Sequence, residues 1–112
     1  MDLDIDTRFE AGYAVVTPKG EIDLSTVEAF REVLLELIIQ GHVHLLIDLD
    51  RVDFIDSLGF GALVAARRKA RTFKGTVGII CTNGRVLRLF AVTELERVFT
   101  ITDSIEGQPT RA

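Results

Sequence analysis

One cysteine, no tryptophan, two histidines and no excess of positive charge narrow what this 112-residue chain can be. Cys81 has no partner, so an internal disulfide is impossible and a reducing compartment, the cytoplasm, is expected. With only His42 and His44 beside that cysteine, a structural zinc site lacks ligands, and no metal or other cofactor is expected. The formal net charge of −4 argues against a general binder of nucleic acid or of membrane surfaces. No apolar run approaches the ~20 residues of a membrane-spanning helix. The acidic start, MDLDIDTRFE, lacks the basic, apolar pattern of a signal peptide. Without tryptophan, unfolding is followed by Tyr13 fluorescence or circular dichroism. What remains is a globular chain, 47% hydrophobic, long enough for one domain and a modest core.

Periodicity supplies the elements. Ile5–Glu10 and Tyr13–Pro18 read as a hairpin around Ala11-Gly12. Ser25 and Glu28 have the spacing of a capping box. Val27, Phe30, Leu34, Leu37 and Ile38 then share one helical stripe, which Gln40-Gly41 closes. Leu45-Leu46-Ile47 suits a strand covered on both faces, and Arg51–Ile55 an irregular extension. A helix from Ser57 to Phe73 places Gly59, Ala62, Leu63, Ala66, Ala70 and Phe73 against the sheet. Thr76–Cys81 reads as a buried strand, with Cys81 a core thiol. Thr82-Asn83-Gly84 caps a short helix over Arg85–Ala91, Val98–Ile101 is a small strand, and Asp103–Glu106 starts a last helix. The alternation predicts one α/β domain, residues 1–112, with an ordered core over 5–106 and a frayed tail over 107–112. It brings Gly20–Asp23 beside Asp53–Gly59 at the edge where strands end and helices begin.

The junction Asp56-Ser57-Leu58-Gly59 is the most informative segment. A helix start offers backbone N–H groups and the positive end of the dipole, so a phosphate on Ser57 leaves the fold intact. Capping alone also explains Asp and Ser there. Ser57 is a poor catalytic nucleophile: Ile55-Asp56-Ser57-Leu58-Gly59 lacks the first glycine of a G-x-S-x-G elbow, and both histidines lie at the far end of their strand. The basic run Arg67, Arg68, Lys69, Arg71 and Lys74 complements a helix C-terminus, with no interleaved aromatics for stacking on bases.

LLIDLDRVDFIDSLGFGALVAARRKAR resembles the signature of the bacterial anti-sigma factor antagonists, built of a single STAS domain. Phe54, Ile55, Asp56, Ser57, Gly59 and Gly61 match, Phe60 replaces the usual leucine, and Leu58 stands where serine or threonine is commoner. Ser57 is then the only hydroxyl in the signature. Gly20-Glu21-Ile22-Asp23 and Arg85–Leu95 extend the resemblance over most of the chain.

The resemblance implies a STAS-type mixed sheet of four to five strands, largely parallel in the centre, with three to four helices. It implies a non-enzymatic partner of an anti-sigma factor that is itself a serine kinase and brings the ATP. Ser57 is the implied phosphoacceptor, reset by a separate phosphatase. Asp23, Asp56, Ser57, Leu58, Gly59, Phe60, Gly61 and Val64 are the implied docking residues. Asp56 either orients the Ser57 hydroxyl or caps the helix. Asp23 either meets the partner or caps the first helix. Phe60 and Val64 form either an exposed apolar patch or part of the core. The free protein is expected as a monomer or weak dimer, with no membrane or nucleic-acid partner. A scaffold or nucleotide-sensing subunit of a larger assembly is the alternative role.

Overall fold

The computed structural model describes residues 3–111. β1 (Leu3–Glu10) and β2 (Tyr13–Ile22) form an antiparallel hairpin. Ala11 and Gly12 turn it at φ 55° and 84°, the paired left-handed conformations that match strand twist. Gly12 is required there, because a Cβ would run into the Arg111 carbonyl. α1 (Val27–Ile39), β3 (His44–Asp48), β4 (Val52–Ile55), α2 (Ser57–Thr72), β5 (Thr76–Ile80), α3 (Gly84–Val92) and β6 (Ile101–Thr102) follow. Single 3₁₀ turns lie at Leu95–Arg97 and Ile105–Gly107.

The sheet order is β1-β2-β3-β5-β6, parallel after the hairpin, with β4 also on β2. β2 changes neighbours along its length. Ala14–Val16 pair with β3, and Gly20–Ile22 pair with β4. The described sheet therefore has six strands rather than four to five. The extra strand is the segment expected to be irregular. A four-residue strand carrying Asp53 has too little alternation to show in sequence, but the end of β2 offers it a free edge.

The three helices share one core on one face of the sheet. Val27, Phe30, Leu34, Leu37 and Ile38 of α1 are all buried in it, as the stripe predicts. From α2 come Gly59, Ala62, Leu63, Ala66 and Ala70. Phe73, assigned to that stripe, is 51% exposed: the helix ends at Thr72, and the turned backbone swings the ring outward beside Lys69. Asn83 caps α3 by accepting from Arg85 and Val86 N–H groups.

Three further expectations are corrected. The Ser25–Glu28 capping box does not form. Thr26 takes the N-cap position, and its hydroxyl donates to the Glu21 carbonyl at 2.7 Å instead. The last strand is Ile101–Thr102 rather than Val98–Ile101, because Leu95 accepts from Val98 and Phe99 in a helical turn. The tail is held through residue 111, Ala112 lying outside the described residues. Gln108 is buried, with Nε2 at 3.1 Å from the Ile79 carbonyl and 2.9 Å from Thr102 Oγ1. Tyr13 donates its hydroxyl to the Pro109 carbonyl. Ile105 packs on Tyr13, Val15, Leu46 and Ile80, so the tail covers the sheet face that the helices leave open.

Candidate functional site

The site is built where β2 and β4 end together. Asp56 N–H donates to the Ile22 carbonyl at 3.2 Å, tying the start of α2 to the end of β2. Asp23, Leu24, Ser25 and Asp56 consequently line one shallow groove. The neighbourhood expected for Gly20–Asp23 and Asp53–Gly59 is present.

Asp23 organises the loop into α1. Its Oδ1 accepts from Ser25 N–H at 2.9 Å and from the Ser25 hydroxyl at 2.7 Å. The Ser25 hydroxyl bond, above all, holds the Asp23 carboxyl below its usual 3.8. Asp56 is the N-cap of α2, accepting from Leu58 N–H at 3.0 Å and Gly59 N–H at 3.2 Å. The expectation of free N–H groups is thus revised for these two, because the Asp56 carboxylate occupies them. Ser57 is the first residue of α2 and is exposed. A phosphoryl group there would stand beside a carboxylate rather than in an empty nest of donors.

The other docking candidates divide. Leu58 is 43% exposed, and Gly61 is exposed with open space at its Cβ position. Gly59 is buried: a Cβ would meet Ile55 Cγ1 at 2.6 Å and Ile22 Cγ2 at 2.8 Å. Phe60 is only 5% exposed and packs edge-to-face on Phe90 at 4.9 Å, so it belongs to the core and not to an apolar docking patch. Val64 is half-buried against the same core.

Leu24, 79% exposed, and Phe54, 48% exposed, supply the apolar surface in their place. Sequence reasoning passed over both as docking residues. Leu24 could have been found as an apolar residue inside a polar turn, and Phe54 as the neighbour of inward-facing Ile55. Around them stand Glu21, Asp23, Asp53 and Asp56, and neither 20–30 nor 52–66 contains Lys or Arg. The rim is acidic with apolar side chains set in it.

No histidine stands at the rim beside Ser57 among the described residues. His42 and His44 flank the start of β3, the opposite end of the parallel strands. His42 lies against Phe9, and His44 Nδ1 is 3.0 Å from Thr76 Oγ1. Burial, with the Arg111 charge, holds the His44 imidazole below its ordinary value. Cys81 is buried, which raises its thiol pKa, and its Sγ lies 3.6 Å from the Asn83 carbonyl. Among the described residues no group of His, Cys, Asp and Glu is placed to hold a metal, and no helix is long and apolar enough to cross a membrane.

A hairpin thus feeds a parallel sheet, and a capped helix starts at an exposed serine. The STAS domain family model matches residues 4–107, and the chain belongs to that family. Its relatives include anti-sigma factor antagonists. The anti-sigma-B factor antagonist of Bacillus subtilis is 30% identical over 107 residues, covering 96% of this chain and 97% of that protein. The anti-sigma factor antagonist of Mycobacterium paratuberculosis superposes with a TM-score of 0.81 at 23% identity, over 94% and 89% of the two chains. The Bacillus cell fate determinant SpoIIAA, solved in its phosphorylated form, gives 0.70 at 20% identity, over 92% and 94%.

Proposed function

We propose that this chain is an anti-sigma factor antagonist switched by phosphorylation of Ser57. Unphosphorylated, it docks its acidic rim on an anti-sigma factor that is also a serine kinase, and the sigma factor is released. Asp23, Asp56, Ser57, Leu58 and Gly61 form the contact surface. Gly59, Phe60 and Val64 act from beneath by fixing the start of α2. A separate phosphatase resets phosphorylated Ser57. In this reading the chain is a substrate and binding module rather than an enzyme. It works in the cytoplasm, without nucleic acid or membrane.

The observation that carries the reading is the exposed Ser57 at the first position of α2, directly after the capping Asp56, in a chain of this family. Phosphate adds about −1.5 to −2 charges at neutral pH. Asp56 already occupies the Leu58 and Gly59 N–H groups, so those two donors are not open to the phosphate and the helix dipole compensates it only in part. At the docked surface a contact shaped for a hydroxyl must then hold a larger, strongly hydrated and charged group. Losing about 2.7 kcal/mol from such terms weakens binding roughly a hundredfold.

Incubation with a cognate anti-sigma factor and ATP is expected to add one phosphoryl mass at Ser57. Ser57→Ala should block the addition and keep the complex, while Ser57→Asp should weaken the complex about a hundredfold. Equal binding by the parent and both variants would refute the switch.

A further inference from the structure

The charge of this chain is sorted along α2. No Asp or Glu occurs between Asp56 and Glu94, and every charged residue between them is Lys or Arg. The acidic rim lies at the start of α2. About 24 Å away, at its end, the surface is basic.

There, Arg67, Arg71 and Lys74 form one wall of an open cleft of about 430 Å³, whose floor includes Val77 and Val98. Four of the other ten cations are paired: Arg8 with Glu10, Lys19 with Asp6, Arg31 with Glu28, Arg97 with Glu94. The three at the cleft belong to no ion pair among the described residues. Lys74 also holds a left-handed backbone, φ 60°, where a helix end ordinarily places Gly or Asn.

The cleft sits where the β5–β6 seam runs out. β6 pairs only with Ile79 and Ile80, so the first half of β5 has no strand on that side among the described residues. Thr76 N–H is turned the other way, to the Val43 carbonyl beside β3. Alternate residues of a parallel strand point their N–H and C=O to opposite sides, so both groups of Val77 face the cleft.

We infer that this cleft docks an extended acidic peptide from a protein partner, its carboxylates on Arg67, Arg71 and Lys74 and its backbone against the Val77 edge. The chemistry selects peptide over other anions. The outward Val77 carbonyl accepts a peptide N–H but repels phosphate. Val77 and Val98 give apolar side chains a floor that a phosphate cannot use. No aromatic ring lines the cleft to stack a base. The site is independent of the Ser57 reading.

The probe is a fluorescein-labelled peptide of alternating Glu and Val, with a Lys-Val peptide as control, titrated by fluorescence polarisation and by amide shifts of the ¹⁵N-labelled protein. The Glu-Val peptide is expected to bind, to shift Val77 and Val98 amides, and to weaken as salt rises. Arg71→Glu and Lys74→Glu, both at exposed positions and checked for unchanged circular dichroism, should each lower affinity at least tenfold. The inference is overturned by equal binding of the two peptides, by shifts confined to other surfaces, by variants that bind like the parent, or by tripolyphosphate or single-stranded DNA binding more tightly than the Glu-Val peptide.

Discussion

Gly59 and Gly61 stand two residues apart in the first turns of α2, and replacing each with alanine should move stability in opposite directions. Alanine is favoured over glycine in a helix interior by about 1 kcal/mol. At Gly61 nothing lies within 4 Å of the new methyl group, so that gain is realised. At Gly59 the methyl meets Ile55 Cγ1 at 2.6 Å and Ile22 Cγ2 at 2.8 Å. Both isoleucines are fully buried, and neither atom is the far end of a flexible side chain. Overpacking of this kind costs about 1–3 kcal/mol, and contacts this close belong at the upper end. Gly59→Ala should therefore destabilise by about 2 kcal/mol net, and Gly61→Ala stabilise by up to about 1. At roughly 4 °C per kcal/mol for a domain of this size, Tm falls by about 8 °C in one and rises by up to about 4 °C in the other. Urea and thermal unfolding followed by far-UV circular dichroism measure both. A Gly59→Ala protein as stable as the parent would show that α2 does not lie against β2 and β4 as described, and the placement of Ser57 would go with it.

Two other expectations concern the loop into α1 and the tail. The Asp23 carboxyl is held below its ordinary value, so its bond to Ser25 contributes stability that is fully present above the unfolded pKa, near 3.8, and lost as pH falls through the lower folded value. Ser25→Ala should lower the urea midpoints above that unfolded pKa and leave those at the acid extreme unchanged, so the acid limb flattens; an identical pH profile would refute the bond. Gln108→Ala removes the side chain that reaches the Ile79 and Thr100 carbonyls and Thr102, and should cost about 1–3 kcal/mol. An unchanged urea midpoint would mean that the tail does not hold this face of the sheet.

Sequence served well where periodicity was long and poorly where a contact was remote. The α1 stripe and the small-residue face of α2 repeat over several turns, so their buried sides show in the residues themselves. Asp56 and Asn83 announce their helices because capping is local. β4 needed knowledge that β2 extends to Ile22 and leaves an edge to pair with. Gln108 looked like tail because its partners, Ile79 and Thr102, lie in other strands. Phe60 was ambiguous because α2 is covered on two sides: its small face meets the sheet, and its Phe60 side meets Phe90 of α3. Only the assembled third helix decides that, and it sends the apolar surface of the rim to Leu24 and Phe54.

The tail crosses the sheet to the hairpin turn, where Pro109 meets Tyr13 and Arg111 meets Gly12. Ten residues of β2, about 30 Å, separate that turn from Asp23. A dye or surface tether attached beyond residue 111 would thus leave the molecule facing outward, rim first, like a key held by its bow. Immobilised binding measurements can be made from that end without masking the surface they are meant to report on.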